Sequence, residues 1–335
     1  MDFAAWGHPY REFPVGQDAL DDFRAAFGRL RDSGIDIYLP FIMSGGKHYF
    51  ECATLGAPER DLLGPCLQAA GEVGIEIHPI VGLGAVGIIP DGEKYRYDPG
   101  PAGEDLPSWA RQWPCAAWPE NREITCRLAS EVMRDYSPDG LHMDYMRYAN
   151  TLVLNTHPCQ CAVCQSEREQ WLGKPLPDAD DLQQPGFQYQ EIRMRNRFVK
   201  SIVHGLREVA DEAAAPLSLA ARARYLKDAV AEGQDWAEWC REGLLDFVCP
   251  MSYNPCPDRF QRFVAEHTNL LLGAGTPLYC GIGRSSSLGK IDAAQMADQI
   301  RYAADQGADG ICIFHVAALE DEDYKVLTEL AEKLK

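Results

Sequence analysis

Asp144 lies near the end of residues 139–148 (DGLHMDYMRY), with His142 two positions before it and Arg147 three positions after. An ionised carboxylate so placed can act as a nucleophile or a base. His142 suits a supporting hydrogen bond better than a titrating role, and Arg147 would favour the charged form of Asp144. The plain structural reading is that Asp144 pairs with Arg147 or caps a loop. A second dense signal is residues 157–164 (HPCQCAVC), where His157, Cys159, Cys161 and Cys164 are the ligand types of a structural zinc site. Free thiols, or a disulfide to a distant cysteine, are the alternatives, since cysteines this close would strain to pair with one another. No open coordination position is implied, so a catalytic zinc is not expected. Asp235, with Glu238 three residues on, reads as a helix N-cap and its partner, and Trp236 and Trp239 as packing residues.

The elements that must position these groups follow from periodicity. Leu141 and Met143 alternate with His142 and Asp144, as in a strand whose faces meet different surroundings. Before it, Ile124, Leu128, Val132 and Tyr136 recur at every fourth position, an apolar helix face. Strands are predicted at 3–6, 35–41, 75–81, around 141–144, and at 217–222, 246–251, 278–282 and 310–314. Helices are predicted after each: 18–32, 59–72, from 121, 190–213, 235–241, 258–271, 293–306 and from 320. Gly34 and Gly74 mark two helix ends. This strict alternation implies an α/β chain folded as a single (β/α)8 TIM barrel over 1–335, with long loops after strands 3 and 4. No glycine-rich phosphate turn follows the first strand, which disfavours an open doubly wound sheet. Polar residues Asp36 and Tyr38, Glu76 and His78, His142 and Asp144, and Ser218 and Arg222 are expected to face the barrel centre, with Ile35, Ile37 and Leu39 towards the helices. A (β/α)8 site belongs at the C-terminal ends of the strands.

The formal net charge of −18 disfavours nucleic acid and anionic membranes as partners. Twelve scattered cysteines suit a reducing compartment. Residues 1–14 lack a signal peptide's basic start and apolar stretch, and no apolar run reaches membrane-spanning length, so a cytoplasmic location is expected.

Residues 139–148 resemble the signature of the glycosyl-hydrolase-like family 10 barrels and their relatives. So do 74–82 (GIEIHPIVG), with His78 facing inward, 233–254 (GQDWAEWCREGLLDFVCPMSYN) and the last strand at 307–319. Where that family has proline after the Arg-Tyr pair, this chain has Ala149. The resemblance implies a glycoside hydrolase acting on an oligo- or polysaccharide, with Asp144 as the catalytic carboxylate and no cofactor required for catalysis. Such hydrolysis takes a second group as acid. Laid over the Asp-x-x-Asp-x-Asp-x-Glu motif of family 18 chitinases, the chain places Met146 where their acid stands and His142 at the middle Asp. Glu51 is the best remaining acid, with Asp91, Glu93 and Glu104 as alternatives. Trp6, His8, His48, His78, His142, Tyr145, Arg147, Arg222, Tyr253, Asn254 and His315 are expected to bind sugar faces and hydroxyls. A Cys-x-Cys-x-x-Cys run also follows strand four in relatives. Two rival readings remain: a carbohydrate-binding protein without turnover, and a metal-dependent barrel using Glu76, His78, His142 and Asp144.

Overall fold

The computed structural model describes residues 1–12, 19–83, 94–154 and 156–335. Its parallel strands are β1 (Asp2–Gly7), β2 (Ile37–Pro40), β3 in two pieces (Glu76–Ile77 and Ile80–Val81), β4 (Leu141–Met143), β5 (Leu217–Ala221), β6 (Phe247–Pro250), β7 (Tyr279–Gly283) and β8 (Gly310–Phe314). The helices that follow them are α1 (Ala19–Asp32), α2 (Leu63–Val73), α3 (Pro119–Tyr136), α4 (Pro185–Glu212), α5 (Trp236–Arg241), α6 (Pro257–Leu270), α7 (Ala293–Asp305) and α8 (Asp321–Leu334). Each predicted strand and helix is present, with ends shifted by a few residues.

The strands form two parallel sheets. One runs β7-β8-β1-β2 and ends on the first piece of β3; the other starts on the second piece and runs β4-β5-β6. The break in β3 falls at His78-Pro79, where proline has no N–H to give the ladder. Single bridges, Phe41 to Ile80 and Val248 to Leu278, link the sheets at their two junctions. Each sheet is backed by its own apolar cluster. Phe3, Phe23, Phe27, Tyr38 and Ile311 lie behind the first. Leu141, Met143, Leu217, Trp236 and Trp239 lie behind the second. Full burial of a side chain such as Phe27 is worth roughly 1.5–3 kcal/mol.

A third cluster, including Ala4, Ile37, Leu39, Ala220, Phe247 and Cys312, draws on strands of both sheets, so the centre is largely apolar rather than a polar network. In β2 the pleat is the reverse of the expected one. Ile37 and Leu39 join that central cluster, while Tyr38 packs on Phe27 and donates to Glu12 Oε2 at 2.7 Å. A carboxylate waiting behind the sheet lets the phenol face the helices. Asp36 accepts from the Phe3 N–H and pairs with Arg31 and Lys335 at the strand's N-terminal end.

The loop after β4 contains two helices, Ala162–Leu172 and Ala179–Gln183, the second begun by an Asp178/Asp181 capping box. Their polar composition hid the helical pattern. Arg168, fully buried, ties them down, donating to Glu191 Oε1 (2.7 Å), the Pro175 carbonyl and the Cys159 carbonyl. Asp235 does cap α5, accepting from the Glu238 N–H, and Trp236 and Trp239 are buried. Among the described residues, no helix is long and apolar enough to cross a membrane.

Candidate active site

A cleft of about 1230 Å³ opens at the C-terminal ends of the strands and takes residues from both sheets. Trp6 of β1, Phe41 beyond β2 and Phe314 of β8 come from one; Asp144, Arg222 and Tyr253, beyond β4, β5 and β6, come from the other.

Asp144 is 6% exposed. Its Oδ1 accepts from the Tyr145 N–H at 2.5 Å and from Arg147 Nη1 at 3.2 Å. Its Oδ2 has no hydrogen-bond partner among the described residues, and Asp144 lines the cleft. The first bond depends on a sharp turn: Tyr145 has φ 54°, a left-handed conformation costly for a non-glycine residue and met at functional sites. That turn leaves the Tyr145 ring 37% exposed in the cleft, with its centroid 6.0 Å from that of Trp113. Burial pushes the Asp144 carboxyl above its ordinary pKa, outweighing Arg147, the Tyr145 N–H and Arg222, which pull it down. Burial thus opposes the ionised form that Arg147 was expected to favour.

Arg147 belongs to a longer chain of charges. Its Nε lies 3.4 Å from Glu232 Oε2; Glu232 also meets Arg222 Nε at 3.1 Å, and Arg222 Nη2 meets Asp228 Oδ2 at 3.1 Å. Arg224 Nε donates to the same Asp228 oxygen at 2.7 Å. Neither Glu232 nor Asp228 was anticipated from the sequence. Burial raises the Glu232 pKa against the pull of Arg222 and Arg147. Asp228 lines the cleft and sits between the guanidinium groups of Arg222 and Arg224. Two buried or half-buried arginines near a strand end require carboxylates, and the loop after β5 was the place to seek them.

Among the other expected residues, Trp6, His8, Tyr145, Arg147, Arg222, Tyr253 and Asn254 all line the cleft. His8 stacks on Phe41 at 4.5 Å, and burial, then His315 and Arg11, lower its pKa to about 4, so it is neutral near pH 7. His315 lies behind it, ring centroids 5.3 Å apart, outside the lining.

Three further histidines are not brought to the cleft lining. His142 is fully buried; its Nε2 accepts from Trp6 Nε1 at 3.0 Å, so the proton sits on Nδ1 and is donated to Ser218 Oγ at 2.7 Å. Burial drives its pKa well down, fixing a neutral ring that orients Trp6 and does not touch Asp144. His78 is buried against Phe247, and His48 faces the Gly56 carbonyl at the surface. Glu51 is exposed and away from the lining, its N–H bonded to the Tyr136 hydroxyl, so the structure does not unite it with Asp144. Asp91 and Glu93 lie outside the described residues, and Glu104 lines a separate cavity. Glu76, His78, His142 and Asp144 form no ligand set: among the described residues, only cysteines gather as three or more potential metal ligands. That group is Cys115, Cys159, Cys161 and Cys164, with Cys115 in the place expected of His157.

No protein-family model matches the sequence, and no curated protein matches it significantly. Solved structures do share its fold, and several of them carry carbohydrate-hydrolase names. The glycoside hydrolase domain of PgaB (BpsB) from Bordetella bronchiseptica superposes with TM-score 0.74 at 15% identity, covering 100% of this chain and 98% of that one. Alpha-L-fucosidase isoenzyme 2 from Paenibacillus thiaminolyticus gives 0.66 at 16% identity, covering 99% of this chain and 49% of its own. A chitinase from Chromobacterium violaceum gives 0.55 at 10%, covering 100% and 99%. At these identities the likeness is one of fold.

Proposed function

We propose that the chain is a glycoside hydrolase on a single (β/α)8 barrel spanning 1–335, acting on a glycosidic bond of an oligo- or polysaccharide. The observation that carries this reading is Asp144. It is a buried carboxylate at the C-terminal end of β4, with one oxygen held and the other open to an aromatic-walled cleft. The carbohydrate-hydrolase names of the structural neighbours support the substrate class. Barrel closure is supported by the Phe41–Ile80 and Val248–Leu278 bridges, which link the two sheets at both junctions.

Asp144 and Asp228 are the carboxylates that line the cleft among the described residues. Asp144 is assigned the acid's part, giving a proton to the departing glycosidic oxygen through Oδ2, a form that burial favours by raising its pKa. Asp228, held by Arg222 Nη2 and Arg224 Nε, is assigned to face the positive charge that develops on the sugar ring. Asp144 thereby takes the acid's part expected of Glu51, and Asp228 the charged part expected of Asp144.

Turnover by wild type, Asp144→Asn and Asp228→Asn is the test, using a polysaccharide panel and aryl glycosides of graded leaving-group ability, with folding checked by circular dichroism. Loss of the acid should cost about 10²–10⁴-fold on unactivated bonds and far less when the leaving group needs no proton. Asp228→Asn should lower both alike. Near wild-type turnover of unactivated substrate by folded Asp144→Asn would end this assignment.

A further inference from the structure

The four cysteines that meet beside the cleft have a geometry of their own. Cys115 Sγ lies 3.7 Å from Cys159 Sγ, 3.7 Å from Cys164 Sγ and 3.8 Å from Cys161 Sγ, and all four sulfurs fall within 4.8 Å of one another. All four residues are buried and none is in a disulfide, whose sulfurs would stand only about 2 Å apart. A zinc ion with Zn–S bonds of about 2.3 Å in a tetrahedron sets its sulfurs about 3.8 Å apart. The Asp98 N–H points at Cys159 Sγ at 3.5 Å, the kind of outer hydrogen bond that steadies a metal-bound thiolate.

We infer that Cys115, Cys159, Cys161 and Cys164 hold one structural zinc ion, the thiol protons passing to solvent as it binds. Cys115 belongs to the segment after β3, and the other three to the segment after β4. The ion would therefore staple two loops that face each other across one wall of the cleft. The wall depends on that join: Trp113, two residues before Cys115, donates from Nε1 to the Arg147 carbonyl at 3.0 Å, and Cys115 Sγ contacts the Tyr148 hydroxyl at 3.8 Å. His157 is outside the site.

Elemental analysis of protein grown in zinc-containing medium and purified without chelator should give one zinc per chain. Cobalt substitution should give the visible and charge-transfer bands of a tetrahedral tetrathiolate. His157→Ala should keep both signals and Cys115→Ser should lose them. Should Cys115→Ser fail to fold, alkylation of native wild type decides: the four thiols should resist until a chelator is added, then react as zinc is released. Folded, metal-free wild type with all four thiols reactive would overturn the site, and loss of metal in His157→Ala would overturn its ligand set.

A separate observation concerns charge. Among the described residues, Arg11, Arg147, Arg222, Arg224, Arg259 and Arg262 line the cleft against Asp144 and Asp228 alone, in a chain of net charge −18. Arg147, Arg222 and Arg224 are engaged with carboxylates. Arg11, Arg259 and Arg262 are exposed and have no ion-pair partner among the described residues. The last two stand three residues apart on α6, so they share a face.

Resting on the reading of the cleft as a carbohydrate site, we propose that its glycan is anionic, bearing carboxylate or sulfate groups that these rim arginines receive. Binding of catalytically silent Asp144→Asn to a polyuronate, a sulfated polysaccharide and a neutral glucan or mannan is the test, with calorimetry at low and raised salt. The protein should prefer one or both anionic polymers, the two arms separating carboxylate from sulfate recognition. Adding Arg259→Gln and Arg262→Gln should weaken that binding by about threefold to tenfold and flatten its salt dependence. Equal binding of the neutral polymer, unchanged by the arginine substitutions, would overturn the charge preference and leave the glycan reading standing. Binding of no polysaccharide at all would overturn both.

Discussion

His267 offers a clean measurement of how α6 holds the rim of the cleft. It is buried, and its Nε2 donates to the Ala223 carbonyl at 2.8 Å, between Arg222 and Arg224. A carbonyl only accepts, so Nε2 carries the proton and Nδ1 accepts from Ser252 Oγ at 3.3 Å. Burial lowers the pKa from 6.5 to about 4. The unfolded chain therefore takes up a proton near pH 6.5, and the native protein only near 4. Stability from the neutral ring is full above the unfolded value and is lost as pH falls through this window, by about 3 kcal/mol in all. His267→Phe keeps the aromatic packing on Trp236 and removes both the bond and the titration. It should cost about 1–3 kcal/mol near neutral pH, from the unsatisfied carbonyl. Urea unfolding followed by tryptophan fluorescence should show that gap shrinking by about 3 kcal/mol near pH 4, because only wild type carries the histidine's penalty. An equal gap at both pH values would refute the buried neutral histidine. A turnover deficit in the variant at neutral pH would place the same contact in the service of Arg222 and Arg224.

Two further outcomes are expected. A Cβ on Gly82 would sit 1.8 Å from the Asp144 backbone oxygen, so Gly82→Ala should displace the carboxylate and lower turnover about 10²-fold or more. Gly28→Ala, with nothing within 4 Å, should be silent, and an active Gly82→Ala enzyme would contradict the packing. Ser218→Ala should cost about 1–3 kcal/mol by stranding the His142 Nδ1 proton. In a double-mutant cycle with His142→Phe the two costs should not add, and strict additivity would break the assigned tautomer.

The repeated units were legible because local patterns decide them: the fourfold spacing in α3, the Asp235 cap of α5 and the Gly74 end of α2 need no distant partner. Asp144 was legible because it ends a strand. What remained hidden depends on residues far apart in the chain. Tyr38 faces the helices because Glu12 receives its hydroxyl, and Cys115 joins a cluster that starts 44 residues later. The pull of burial on Asp144 was not legible because sequence shows the neighbouring arginine and not the depth at which the carboxyl lies. Asp228 was not legible because it reaches the cleft from the short π-helical turn Tyr225–Ala229, well beyond the end of β5.

The break in β3 has a mechanical meaning. Backbone bonding is dense within each sheet and thin at the two junctions, where one bridge each spans the gap. Trp6, Phe41 and Phe314 ride on one half-shell; Asp144 and Arg222 ride on the other. A chain-like ligand lying across the cleft therefore works as a clasp, adding cross-joint contacts where the scaffold has fewest. Asp144 and the aromatic side chains opposite it would then be held at a fixed spacing by the ligand itself, and slower amide exchange at Ile80 and Val248 is where that clasp would register.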